Sequence, residues 1–193
     1  MNTTNSKYDH INNSENYNLE VSAYQKEKKG DFKGAIKDIS FALKNKNLDC
    51  FLFYERGKLF FKIKNYEKAI NDLSEFISKS KDKSNLHRYY VESLFLKICC
   101  LKILNLHYWD EIQSLSDIKN QYSYGSYRKR LVDNYFNFIF ALAYSLKKRF
   151  ELSLDNLIKI RESDPNFLKN KYPYLLEHLP QEMKTILELC WYI

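Results

Sequence analysis

The chain has 193 residues, about one domain by the usual ~100–200 residues each. It holds only 4 Gly and 3 Pro where average usage would give about 23, which excludes collagen-like and Pro-rich disordered classes and argues against a many-stranded sandwich or barrel. With 31 basic against 24 acidic residues the net charge is +7, which leaves nucleic acid or an acidic partner open.

Residues 1–15 are polar and Asn-rich, without the apolar core of a secretory signal, and read as a disordered lead-in. Leu19 to Lys29 is helix-compatible, and Gly30-Asp31 supplies a turn before a second helix from Phe32. Phe51 to Lys62 repeats the first helix, Lys64-Asn65 the turn, and a helix from Tyr66 the second. Phe32 and Tyr66, Ala35 and Ala69, Ile36 and Ile70, Asp38 and Asp72, and Ser40 and Ser74 are each 34 residues apart. In each copy apolar residues recur at helical spacing: Phe32, Ala35, Ile36, Ile39, Ala42 and Leu43, then Tyr66, Ala69, Ile70, Leu73, Phe76 and Ile77. Nine residues before each second helix stands a small residue, Ala23 or Gly57, which lets two antiparallel helices approach closely.

Further along, the spacing predicts a helix over Tyr89 to Leu104 and another carrying Tyr108, Ile112, Leu115 and Ile118, with Glu111 where the pattern has alanine. A clearer unit follows in Ala141, Tyr144, Phe150, Leu154, Leu157 and Asp164-Pro165, with Ser153 in the alanine position. The interval from Tyr66 to Tyr108, and from Tyr108 to Phe150, exceeds 34 residues. The surplus is assigned to two polar loops, Ser78 to Asn85 and Asn120 to Tyr127. After Pro165 the pattern decays into Leu175 to Leu179 and a helix over Gln181 to Trp191.

These features resemble the tetratricopeptide repeat (TPR) family, whose unit is a 34-residue helix–turn–helix. The resemblance covers residues 16–166 and implies an all-α fold: a TPR-like α-solenoid, a right-handed superhelix of about four antiparallel helix pairs. Residues 167–193 are then a C-terminal capping helical segment. The family uses the first helices of successive pairs to line a concave groove. Carried onto this chain, that groove receives Tyr17, Glu20, Tyr24, Glu27 and Lys28, then Phe51, Tyr54, Lys58, Phe61 and Lys62, then Tyr135, Phe138 and Leu142. Aromatics alternating with charges suit a bound peptide, and Tyr54 with Lys58 and Lys62 suggests an acidic one. The same rings could equally pack between helices. TPR domains that clamp the C-terminal carboxylates of heat-shock chaperones need a Lys and an Asn, an Asn, and a Lys and an Arg. The matching positions here hold Glu20, Tyr24, Glu55, Ser93 and Lys97, so that clamp is not expected.

The chemistry of catalysis is missing from the sequence. His10, His87, His107 and His178 are scattered, no Cys-x-x-Cys occurs, and four glycines cannot build a phosphate loop. Asp38 and Asp72 read as exposed helix-surface carboxylates, repeated because the unit is repeated. Adjacent Cys99 and Cys100 read as small core residues. The expectation is a non-enzymatic adaptor, scaffold or co-chaperone-like module, without cofactor, metal or membrane span, in the cytoplasm or nucleus. The alternative is an RNA-binding helical repeat, in which Arg128, Lys129 and Arg130, just after Tyr122, Tyr124 and Tyr127, would meet nucleic acid.

Overall fold

The computed structural model describes residues 5–44, 50–80 and 87–191, and these contain helices and turns but no strand. Eight helices fall into four pairs: α1 (Asn5–Lys28) with α2 (Phe32–Ala42), α3 (Phe51–Lys62) with α4 (Tyr66–Ser80), α5 (His87–Ile103) with α6 (Trp109–Asn120), and α7 (Tyr127–Leu146) with α8 (Phe150–Ser163). A π-helical turn (Phe167–Lys171), a 3-10 turn (Pro173–His178) and α9 (Gln181–Trp191) follow. The chain divides into two compact units, Met1–Ser84 and Asn85–Ile193.

Helix α1 begins at Asn5, well before the boundary drawn at residue 16. No Gly or Pro precedes Gly30, so nothing in the chain interrupts a helix running toward the N-terminus. Residues 1–4 of the polar lead-in, and residues 81–85 of the first expected loop, lie outside the described residues. The second expected loop separates α6 from α7 and turns at Gly125, whose φ is 76°.

One turn motif closes every pair. The first helix ends on a left-handed residue: Gly30 (φ 79°), Lys64 (62°), Asn105 (55°) and Lys148 (57°). The amide after it donates back across the last turn: Asp31 to the Lys26 carbonyl (2.9 Å), Asn65 to Phe60 (2.9 Å), Leu106 to Leu101 (2.8 Å) and Arg149 to Tyr144 (2.9 Å). This Schellman arrangement satisfies carbonyls that a helix end would otherwise leave without donors. Glycine occupies only the first of the four positions; the other three accept a side chain in a region that costs roughly 1–2 kcal/mol.

Within each pair the small residues meet. Ala35, Ala69, Ala141 and Ser153 are fully buried, and Ala23 nearly so. A Cβ added at Gly57 would sit 3.0 Å from Leu73 Cγ, so α3 and α4 pack there at contact distance. The Ser153 hydroxyl donates to the Ala141 carbonyl at 2.8 Å, the same close approach between α7 and α8. In the third pair Glu111 takes the alanine position and reaches Lys97 at 2.8 Å, so an ion pair stands where the first two pairs have a methyl group and the fourth a serine hydroxyl.

Asp38 and Asp72 are not the exposed surface carboxylates the sequence suggests; both are buried. Asp72 accepts two bonds from Arg56, at 2.7 Å each, and Arg56 also donates to the Ser40 hydroxyl on α2 at 3.1 Å. Asp38 accepts from Lys26 (2.6 Å) and Ser22 (2.7 Å). Each carboxylate therefore ties a second helix to its first, and Arg56 ties one pair to the next. Burial alone would raise the Asp38 carboxyl, but the bonds from Lys26 and Ser22 outweigh it and hold the group below the ordinary range.

The core of the first unit joins Ala23, Ala35, Ile39, Ala42, Leu52 and Leu59. In the second unit Phe95 of α5 stacks on Tyr135 of α7, with ring centroids 4.2 Å apart. Phe167 and Tyr172, from the segment after α8, pack edge-on against Tyr135 at 5.9 and 6.0 Å. The Tyr172 and Tyr135 hydroxyls bond at 2.9 Å, and Tyr172 also donates to Glu92 at 3.4 Å.

Candidate functional site

The first unit holds a cleft of about 330 Å³ between α1 and α3, with Ile39 of α2 at its back. Its floor is apolar: Ala23, Ile39, Leu52 and Leu59 are the inward residues of three amphipathic helices. Its walls are Tyr24 and Phe51, and its charged groups are Glu20, Glu27, Glu55 and Lys58. Tyr24 is 60% exposed, with Lys28 over its outer ring at 5.3 Å. Aromatics and charges one helical turn apart on facing helices thus converge on a single concavity.

The charges are organised by α3 reaching back to α1. Lys62 donates to Glu27 Oε1 at 2.7 Å, and Lys58 lies 3.8 Å from the same oxygen. Lys58 donates to Glu55 Oε2 at 2.8 Å. Burial by itself would raise the Glu27 carboxyl, but Lys58 and Lys62 outweigh it and keep the group below the ordinary glutamate range. The side chain is therefore ionised at neutral pH although half-buried.

Of the thirteen residues assigned to the groove from the sequence, five line this cleft: Glu20, Tyr24, Glu27, Phe51 and Lys58. Lys62 stands behind them, bonded to Glu27 and with Phe32 under its ammonium at 5.4 Å. Tyr17 is exposed on α1, outside the cleft. Tyr54 is buried against Phe76, with ring centroids 5.6 Å apart, and Phe61 against Tyr66 at 6.0 Å. Tyr135 and Phe138 are buried in the other unit around Phe95. These four rings pack between helices, because each sits on the side of its helix that meets a neighbour. Tyr54, Lys58 and Lys62 consequently form no cationic patch: the ring is buried and both ammonium groups are bonded to carboxylates. Of the floor residues, the sequence marks Ala23 as a small close-approach residue and Ile39 as part of the repeat's apolar stripe, and carries no signal that sets Leu52 and Leu59 apart.

The five positions that match the chaperone clamp are Glu20, Tyr24, Glu55, Ser93 and Lys97. Ser93 is buried, Lys97 is paired with Glu111, and Glu20 and Glu55 bring negative charge.

In the second unit Arg128, Lys129 and Arg130 form the first turn of α7, where Ser126 caps the helix by accepting from the Lys129 amide at 3.2 Å. Tyr124, 95% exposed in the preceding turn, lies 5.9 Å from the Lys129 ammonium. His87 bonds Tyr122 at 2.5 Å and stacks on Tyr90. Burial and the nearby Arg128 both push the His87 imidazole below its ordinary value.

Cys50, Cys99 and Cys100 are buried, and burial pushes the Cys99 and Cys100 thiols up, away from the reactive thiolate. Among the described residues no three or more His, Cys, Asp or Glu come together as a metal site. No helix among them is long and apolar enough to cross a membrane.

The described residues thus form packed helix pairs, all-α, with an open cleft on the first-helix face of the N-terminal unit. No protein-family model, no curated protein and no solved structure matches it.

Proposed function

We propose that this chain is a non-enzymatic protein-interaction module, an adaptor or scaffold of TPR-like helix pairs that binds a peptide segment of its partner on the first-helix face. The observation that carries the reading is the cleft between α1 and α3, with its apolar floor, its exposed Tyr24 and its ordered charges. The repeated Schellman turns and close small-residue contacts support the TPR-like part of it. Such a cleft offers ring area for burial and charges for register, which is what peptide recognition needs. The buried thiols of Cys50, Cys99 and Cys100, none of them in a disulfide, fit a reducing compartment such as the cytoplasm.

The test is to select peptides from a random library on the full chain and measure their affinity for wild type and Tyr24→Ala. Selected peptides should bind about tenfold more weakly to the variant, with thermal unfolding unchanged. Peptides insensitive to Tyr24→Ala would remove the cleft from the account.

A second reading, RNA binding at the start of α7, is favoured by one observation: the Tyr124 ring stands free of burial with the Lys129 ammonium 5.9 Å from its centroid, in the turn of helix that also carries Arg128 and Arg130. Cations at a helix N-terminus oppose the helix dipole, so they do not serve the helix itself. Single-stranded RNA should then bind at low salt, with an affinity that falls steeply as salt rises and is lost in Tyr124→Ala. Absence of a low-salt complex ends that reading.

A further inference from the structure

Several cations that face a neighbouring helix reach carboxylates: Lys62 meets Glu27, Lys97 meets Glu111 and Lys119 meets Asp133. Arg128, Lys129 and Arg130 share one turn at the start of α7 and reach no carboxylate among the described residues. Cations at that end oppose the helix dipole, so the turn carries positive charge at a cost to the helix. Of the three, Arg128 is the one whose field reaches both His87 and Tyr122.

His87 opens α5 and Tyr122 stands in the turn after α6, so three elements contribute side chains here. The His87 Nε2 and the Tyr122 hydroxyl are 2.5 Å apart, and the imidazole stacks on Tyr90 of its own helix. Arg88, the next residue of α5, is matched by Glu92 and lies among Tyr172, Tyr89 and Tyr127. No carboxylate of the described residues acts on His87, which burial and Arg128 hold neutral at pH 7. A phenol both donates and accepts, and that property links the group together. Beside a neutral imidazole, the Tyr122 proton can be given to Nε2. Once the ring is protonated, Nε2–H donates to the phenol oxygen, and the hydroxyl proton is released to an oxyanion beside Arg128. The guanidinium adds parallel N–H donors of its own. Convergent donors, with a proton that follows the anion in, suit a phosphoryl group, which brings three acceptor oxygens and up to two negative charges.

We infer that Arg128 and the Tyr122 hydroxyl, backed by His87, bind a phosphoryl group. The site lies in the second unit and is independent of the peptide cleft. Its ligand chemistry has two sources, a phosphate monoester or the backbone of the single-stranded RNA considered above, and the site stands with either.

The test titrates the isotopically labelled full chain with inorganic phosphate, and separately with oligouridylate lacking terminal phosphates, at an ionic strength fixed with chloride. The His87 ring and the Tyr122 and Arg128 amides report occupancy. At least one ligand should shift all three saturably and move the His87 titration midpoint upward, because a bound anion favours the protonated ring. Arg128→Gln, an exposed position, should weaken that ligand about tenfold with thermal unfolding unchanged, and Arg130→Gln by less than about twofold. A response to phosphate alone assigns a monoester and ends the RNA reading; a response to oligouridylate assigns the backbone. Oligouridylate that binds without moving His87 and Tyr122 overturns the phosphoryl site and leaves the RNA reading standing. Equal losses from Arg128→Gln and Arg130→Gln overturn it too, since diffuse charge would then explain the binding. Silence toward both ligands ends both readings.

Discussion

The first-helix faces of the two units carry similar residues and end in opposite states. Phe51 and Tyr54 of α3 correspond in register to Tyr135 and Phe138 of α7. In the N-terminal unit that face opens into a cleft lined by Tyr24, Phe51 and the Glu–Lys pairs. In the C-terminal unit Phe167 and Tyr172 fold back onto it, and their rings and the Tyr135–Tyr172 bond close it. The lesson is that an aromatic stripe does not by itself make a groove. Whether it remains accessible depends on what part of the chain comes next, and after α8 a turn carries aromatic residues onto it.

The sharpest way to break the comparison is to remove the covering ring. Phe167→Ala deletes a fully buried side chain and should cost about 3–5 kcal/mol in urea unfolding. Faster hydrogen exchange in α5 and α7, without change in α1 and α3, would locate the effect. Next in size is Asp72→Ala. It leaves the Arg56 guanidinium half-buried without its carboxylate, and should cost about 3 kcal/mol. Tightness of the α3–α4 contact, rather than the ring face, is what that variant probes.

Acid should then separate the units. His87 has a depressed pKa when folded, so the unfolded chain binds its proton more readily; the C-terminal unit loses stability as pH falls below about 6.5, the unperturbed value. Glu27 and Asp38 are depressed too, but as acids: their contribution is complete above the unfolded values of 4.5 and 3.8 and is lost on further acidification. Amide exchange followed from pH 7.5 to 4 should therefore loosen helices α5 to α7 first. His87→Gln should abolish that early step; a step that survives assigns it to another group.

Smaller effects sharpen the turn and the cleft. Lys64→Gly should stabilise by about 1 kcal/mol, since glycine relieves the left-handed strain at φ 62°. Tyr24→Ala, at an exposed position, should change stability by less than about 0.5 kcal/mol while weakening peptide binding. Equal stability losses from Tyr24→Ala and Phe167→Ala would erase the distinction between an open and a filled face.

Much of the helical framework was legible in the residues. The 34-residue recurrence located the starts of α2 and α4 at Phe32 and Tyr66, similar spacing located α8 at Phe150, and the last helix at Gln181 was legible beyond the repeat, just after Pro180. This worked because helix periodicity, small-residue contacts and turn dipeptides are local signals carried by neighbours in sequence. The turns at Asn105 and Lys148 escaped notice, since neither residue advertises a left-handed conformation as glycine does. Asp38 and Asp72 were legible as a recurrence but not as buried ion pairs. Their partners differ in type, Lys26 with Ser22 in one case and Arg56 in the other, so although Ser22 and Arg56 hold the same place in the repeat, no recurring residue marks it.

By itself, then, the sequence determined most of the helices and their pairing, because those follow from spacing along one chain. Only the tertiary structure decided which aromatics are walls and which are core, and that Lys58 and Lys62 are engaged by Glu27 and Glu55. Those outcomes depend on side chains far apart in sequence meeting in space, as Glu27 meets Lys62 and Phe95 meets Tyr135, where burial and charge pairing are set by the neighbouring helix rather than by the residue's own.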